Sequence, residues 1–375
     1  GICFSVIAIP IGLKLNYMNN KCNIFLIYEG RLGSSRADST FVLENAEVFS
    51  KYVPTSIIVS RRSGWTIPWK IKNQYDVIEV SSAFNPKKTF ESVYGQLKFG
   101  LGVRKLLSSL PVNSVLIFHD WWPLQALRLH RRLGQDIFLC LEVHNQIPLS
   151  WPKRVLFGHI DKFIATNSIK FQELLKFFPN KVILEPNAVR SNRFENHDLG
   201  LGMYADRKFS IAYTGSFGEE KNPALLLERI RLKRGIEFTL VGNVPLDLFD
   251  SLKELPNVKM LGSLPREDIP MIQILSSALL VTLNPQSIVS SKYTSTMKIF
   301  EYIAAKRPII APRIDSILDI LDLSEFYDYD ASSSSSLSKA IDEVIEDSEK
   351  GSIRLPRPER LKQYSWEERN LRILE

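Results

Sequence analysis

The feature that most limits what this chain can become is a cadence. Short apolar runs, each the length of a strand, are separated by stretches of helical periodicity. The runs are Asn23–Tyr28 (NIFLIY), Ser56–Ser60, Asp76–Val80, Ser114–His119, Ile137–Val143, Lys162–Thr166 and Lys181–Glu185. Near-continuous apolar strands alternating with helices are buried on both faces, which predicts parallel βαβ units. After a polar stretch, Arg190–Lys208, the cadence restarts with Phe209–Tyr213, Glu237–Val241, Val258–Leu261, Leu279–Leu283 and Pro308–Ala311. At 375 residues the chain exceeds one ordinary domain of ~100–200 residues. We therefore expect an α/β protein with two Rossmann-like parallel-sheet domains, over 18–195 and 196–355, facing a cleft. Ligands of such sheets bind outside the carboxyl ends of the strands. Residues 1–17, an apolar opening interrupted by Pro10, are set aside as a leader.

Composition removes several classes. A hydrophobic fraction of 45% and a charged fraction of 24% are those of a globular protein, not of a disordered or collagen-like chain. No segment reaches the ~20 apolar residues that span a bilayer. Three cysteines, Cys3, Cys22 and Cys140, form no CxxC pair, so neither a disulfide scaffold nor a zinc ribbon is expected. The five histidines are scattered, and no metal site is expected. This pattern fits a reducing, cytoplasmic compartment. The net charge of +7 is uneven: the first 200 residues hold 25 basic and 15 acidic side chains, the remainder 23 and 26. The basic part either meets an acidic partner or is an ordinary solvated surface. No recognition motif or aromatic-basic platform is present, so nucleic acid is not an expected partner.

Two stretches of the second part carry chemistry. In Tyr213–Asn222 (YTGSFGEEKN) a strand ends in a glycine loop, Gly215–Gly218, and Asn222 and Pro223 begin a helix. Backbone N–H groups there, with Lys221, suit a phosphate; an ordinary βα turn with a surface lysine has the same pattern. In Tyr293–Pro308 (YTSTMKIFEYIAAKRP) Thr294 or Ser295 can cap a helix. Thr294, Lys298 and Glu301 share one of its faces, opposite Ile299, Phe300 and Ile303. That face offers a lysine to phosphate and a carboxylate to a ribose diol. The alternative is a Lys298–Glu301 salt bridge on a solvated helix. The serine run Ser332–Ser336 is expected to cap the following helix.

Together YTGSFGEEKNPALLL, FTLVGN, LPNVKMLGSLPREDIP, LLVTLNP and TSTMKIFEYIAAKRPIIA resemble, in order, the nucleotide-sugar domain of GT-B glycosyltransferases, specifically retaining family 4. IFHDWWPLQALRLHRRLG, LEVHN and DKFIATNSIKFQELLKFFPNKVILEPNAV resemble its acceptor-side domain more weakly. Within 356–375, YSWEERNLRIL resembles the closing helix that crosses back to the first domain. The resemblance implies that Glu301 holds the ribose of a nucleoside diphosphate sugar and that Lys221 neutralises the diphosphate. Gly215, Ser216 and the helix start at Thr294, Ser295 and Thr296 would donate N–H groups to phosphate, with Lys298 adding charge. Val241, Gly242 and Asn243, with Gly262, Ser263 and Leu264, would frame the base. His144 would lie near the transferred sugar. Gly30 and Gly33 would approach from the first domain. His119 is grouped with this acceptor side, although a structural hydrogen bond to backbone is its expected role. The family often has arginine where Ser216 stands and glutamate where Tyr293 stands.

The implied reaction moves a sugar to a hydroxyl of a glycan or lipid-linked acceptor, with retention, in surface polysaccharide synthesis. No DxD motif follows a strand, so lysines and helix N-termini, without metal or other cofactor, would stabilise the leaving diphosphate. Lys98–Lys105, Arg128–Arg132 and Lys153–Arg154 would let the first domain lie on anionic lipid. Two other classes fit the same residues: a nucleotide-sugar epimerase of this fold and a non-catalytic nucleotide-sugar binder.

Overall fold

Seven of the apolar runs pair into one sheet and the rest into a second. The computed structural model describes residues 22–375 apart from 35, 62–64, 82–88, 128–136, 145, 148, 150–152, 196–207, 234, 289, 291 and 293–294. The proposed leader, the stretch Arg128–Arg132, and most of the polar stretch between the sheets lie outside the described residues.

The first sheet contains β1 (Asn23–Tyr28), β2 (Thr55–Arg61), β3 (Asp76–Ser81), β4 (Ser114–Phe118), β5 (Ile137–Val143), β6 (Lys162–Ala165) and β7 (Val182–Leu184). The second contains β8 (Ser210–Thr214), β9 (Glu237–Val241), β10 (Val258–Gly262), β11 (Ala278–Leu280), β12 (Ile309–Pro312) and β13 (Tyr327–Tyr329). Their orders are β3-β2-β1-β4-β5-β6-β7 and β10-β9-β8-β11-β12-β13. The pairs are parallel. Each sheet therefore reverses direction beside its first strand, between β1 and β4 and between β8 and β11. Such a switch point opens a crevice at the carboxyl ends of the strands.

Apolar runs without polar alternation are explained by cover on both faces. Ile24, Leu26 and Tyr28 of β1 enter one core, and Phe25 and Ile27 enter the other. Ile211 and Tyr213 of β8 likewise face away from Ala212. The one strand absent from the sequence reading is β13. Its three residues, YDY, are too short and too polar to stand out.

Caps fix where several helices start. The Asn222 backbone is left-handed, at φ 51°, and its side chain accepts from Leu225 N at 3.4 Å to open the helix Pro223–Leu232. Ser333 accepts from Ser336 N at 3.2 Å, which explains the serine run. The helix Met297–Ala305 starts later than expected. Its N-cap position is Thr296, and no side chain caps it.

The helix Trp366–Leu374 packs Trp366, Ile373 and Leu374 into the core of the first sheet, while the preceding Tyr364 packs into the second. Val189 pairs with both ends of this turn, donating to Tyr364 O at 2.9 Å and accepting from Trp366 N at 3.2 Å. The chain thus crosses back to the first domain. Buried Glu44, on the helix Ala37–Phe49, receives Arg190 at 2.7 Å and Arg193 at 2.7 Å, with Arg266 of the second domain 3.7 Å away. Asn167 donates to Lys292 O at 3.0 Å, and Ser168 N to Asp319 at 2.8 Å. Among the described residues, no helix is long and apolar enough to cross a membrane.

Candidate functional site

Three neighbouring strands, β8, β9 and β10, end in Gly215, Gly242 and Gly262. All three have positive φ. Gly215 N donates to Val241 O and Gly242 N to Gly262 O, each at 2.8 Å. A Cβ on Gly242, whose φ is 139°, would lie 2.0 Å from Gly215 O. A Cβ on Gly215, at φ 134°, would meet the Lys298 ammonium at 3.1 Å. The loops that the sequence assigns to phosphate and base are therefore packed edge to edge, and two glycines are required for that approach. Asn243, Gly262 and Ser263 are exposed at this rim and Leu264 is half-buried, whereas Val241 is buried under it.

Lys298 lies below Gly215. It is only 8% exposed, its Nζ has no hydrogen-bond partner, and Nζ sits 3.8 Å from the ring centroid of Tyr213. Burial first, and Lys221 next, hold its ammonium well below the usual lysine range; Glu301 and Glu220 oppose them. The Lys298–Glu301 salt bridge expected of a solvated helix is therefore not what the structure contains. Lys221 closes the short turn Glu219–Lys221, and burial lowers its ammonium too, against Glu220. Ser290 Oγ and Asn284 N bind Glu220 O at 2.6 and 3.0 Å and fix that turn. Tyr213 donates to Ser216 O at 2.5 Å, so the ring under Lys298 also shapes the loop above it.

Glu301 lies one turn further along and is partly exposed. One of its oxygens accepts from Gln273 Nε2 at 3.3 Å, and the other is 3.9 Å from Arg266. Gln273 is fully buried and also donates to Thr214 Oγ1 at 3.0 Å. The Ser295 carbonyl accepts from Asn187 of the first domain at 2.5 Å. Ser295 and Thr296 are half-buried there. Thr294 and Tyr293 lie outside the described residues.

Across the cleft, His119 follows β4 and His144 follows β5. Their rings stack, with centroids 4.1 Å apart and an interplanar angle of 32°. Burial, then His144, pushes His119 down to about 4. Burial also lowers His144, against the pull of Glu142. The expected backbone bond from His119 is not made by Nδ1, which is buried without a partner. Gly30 and Gly33 lie in the loop after β1, and Gly33 N is held by Ser39 Oγ at 2.8 Å. That loop and His119 flank the switch point of the first sheet.

Residues 208–347 match the family model of glycosyl transferases group 1. The matched residues make up most of the second domain. Solved structures extend the likeness to the whole fold. HepE of Anabaena in complex with UDP and glucose superposes with a TM-score of 0.69 at 13% identity, covering 94% of this chain and 98% of that one. Sucrose-phosphate synthase from Thermosynechococcus elongatus gives 0.70 at 14%, covering 93% and 96%. The lipopolysaccharide outer core galactosyltransferase WaaB, in its apo form, gives 0.66 at 14%, covering 93% and 97%. No curated protein sequence matches this chain significantly. The domain match and the two-sheet architecture give the chain the GT-B fold, with likeness to glycosyl transferases group 1 over 208–347.

The second domain brings Gly215, Lys221, Lys298 and Glu301 into one neighbourhood. Several neighbours were not expected. Tyr213 carries the lysine on its ring, Gln273 and Thr214 stand behind Glu301, and Arg266 reaches Glu301 from the domain interface. Tyr213 and Thr214, in YTGSFGEEKN, and Arg266, in LPREDIP, lay inside motifs already singled out, but no role was given to them there. Gln273 lay in none, and reads as an ordinary core position until the sheet is assembled.

Proposed function

We propose that the protein is a glycosyltransferase whose cleft binds a nucleoside diphosphate sugar. Glu301 takes the ribose hydroxyls, and Lys298 and Lys221 face the diphosphate. Val241–Asn243 and Gly262–Leu264 frame the base. The observation that carries this reading is Lys298: a buried ammonium without a hydrogen-bond partner, beside a glycine loop, costs folding free energy unless an anion arrives. The known complexes of HepE with UDP and with UDP-glucose support a sugar nucleotide as the ligand of this fold.

The reaction we infer forms a bond from an acceptor hydroxyl to the anomeric carbon and breaks the bond from that carbon to the diphosphate. Negative charge grows on the leaving phosphate, and the two lysines stabilise it without a metal. The leaving phosphate takes the proton of the acceptor hydroxyl, and the configuration is retained. His144 lies on the opposite wall and contacts the transferred sugar. Gly30, Gly33 and His119 line the acceptor side. The acceptor is a glycan or lipid-linked glycan of a surface polysaccharide, handled in the cytoplasm. Tyr94, Lys98, Leu101 and Lys105 form an exposed stripe along the helix Thr89–Leu106, which supports peripheral contact with anionic lipid.

Thermal unfolding against a panel of nucleoside diphosphates and their sugars, without metal and then with magnesium, tests the donor site. A ligand at 100 times its Kd adds ~2.7 kcal/mol. We expect a shift with one base that is lost in Glu301→Ala. Absence of a shift with every nucleotide contradicts the reading. Glycosidic product distinguishes transfer from epimerisation.

A further inference from the structure

The closing helix places Arg369 where no solvent reaches it. Its side chain is 1% exposed, and its donors are divided among distant parts of the chain. Nε donates to Pro186 O at 2.7 Å, one terminal nitrogen to Asn45 Oδ1 at 3.1 Å and Asn370 Oδ1 at 3.2 Å, and the other to Glu142 Oε1. The guanidinium also lies 5.2 Å from the Phe41 ring centroid and 5.4 Å from that of Trp366. A planar fork used at every edge fixes the carboxylate that it holds.

That carboxylate faces the cleft histidine. Glu142 Oε2 is 3.8 Å from Nε2 of His144, two residues further along the same strand end. Phe41 meets the His144 ring edge-on, with centroids 4.6 Å apart, and His119 stacks on the ring at 4.1 Å. Nε2 is buried and makes no hydrogen bond, so the carboxylate 3.8 Å away acts on it through its charge; the side chain as a whole is 18% exposed. The Nδ1 edge is thus the one left for the cleft. Lys170 lies in the same buried cluster, donating to Thr166 Oγ1 at 2.7 Å, and with Arg369 it disfavours a proton charge on the imidazole.

We infer that Arg369 and Glu142 are positioning residues for His144: Arg369 locks Glu142, and Glu142 keeps the imidazole proton on Nε2. His144 then presents Nδ1 as a hydrogen-bond acceptor to a hydroxyl of the sugar being transferred. A helix from the far end of the chain thereby sets the tautomer of a cleft residue on the first domain. The tautomer assignment stands on this geometry alone, while its consequence for transfer rests on the donor reading above.

Full-length protein with ¹⁵N-labelled histidine tests the assignment, with His144→Gln identifying the resonances. The unaltered protein should show His144 as a single neutral tautomer, with the proton on Nε2 and protected from solvent exchange. Removing one partner alone would strand a buried charge, so two neutral pairs are compared. E142L/R369M removes the polar group that faces Nε2, whereas E142Q/R369M keeps a carbonyl there. Loss of the protected Nε2–H in the first pair and its return in the second support the inference. A proton on Nδ1 in the unaltered protein, or a protected Nε2–H that persists in E142L/R369M, overturns it. This arm needs no substrate, so it is decided separately from the donor reading. Where UDP-glucose is turned over, release of UDP should fall on the order of 10²-fold in E142L/R369M. Affinity for UDP should not change, and E142Q/R369M should recover part of the rate. Equal rates in the two pairs contradict a positioning role.

Discussion

The ammonium of Lys298 rests 3.8 Å from the ring centroid of Tyr213, buried and without a hydrogen-bond partner. The aromatic face offers weak compensation for lost water. A buried amine kept at such cost beside a glycine loop is a candidate anion-binding group.

Replacing Lys298 by methionine should therefore separate stability from function. We expect Lys298→Met to raise unfolding stability by about 1–3 kcal/mol, because a desolvated charge is replaced by a side chain of similar shape. Affinity for a nucleoside diphosphate should fall at least about tenfold, roughly 1.4 kcal/mol. Denaturant unfolding and titration calorimetry measure the two. A stability loss with unchanged affinity would refute the assignment.

Proton linkage gives an independent test. Burial, and Lys221 next, hold the Lys298 ammonium well below the usual lysine range. A bound diphosphate favours the charged form and raises it again. Binding should take up protons, and affinity should decline as pH rises above the depressed value. Calorimetry in buffers of different ionisation enthalpy reads the uptake directly. The uptake should vanish in Lys298→Met.

Acid stability reports on the histidine pair. Burial, and His144 next, bring His119 from an ordinary value of 6.5 to about 4. Between those values the unfolded chain binds the proton and the folded one does not, so stability falls as pH falls. Over pH 7 to 5 the loss from His119 is about 2 kcal/mol. His119→Phe should show a smaller loss over the same interval in urea unfolding. Glu142, carried down to about 2 by Arg369 against its burial, acts lower, as pH falls below about 4.5. An unaltered pH slope in His119→Phe would show that its ring is not buried neutral.

The sequence made the strand cadence legible because parallel strands covered on both faces cannot hide their apolar runs. It missed β13, whose Asp328 interrupts a three-residue strand. It placed Lys298 and Glu301 on one helix face, yet periodicity alone could not tell a buried cleft face from a solvated one. The burial of Lys298 comes from Tyr213, 85 positions earlier in a strand. Arg369 and Glu142 stand 227 positions apart, and no local pattern announces such a pair. The cap at Thr296 was misplaced because contacts from far along the chain hold the residues before it: Asn167 donates to the Lys292 carbonyl and Asn187 to that of Ser295.

The central claim is that Glu301 recognises the ribose of a nucleotide whose diphosphate meets Lys298. It is tested most directly by measuring the Kd values of the four nucleoside diphosphates and of their 2′,3′-dideoxy forms, with the unaltered protein and with Glu301→Ala. One diphosphate should bind the unaltered protein about tenfold or more tighter than its dideoxy form. In Glu301→Ala the two should bind alike. Equal binding of the two forms by the unaltered protein, or a preference for the diol that survives in Glu301→Ala, would contradict the account.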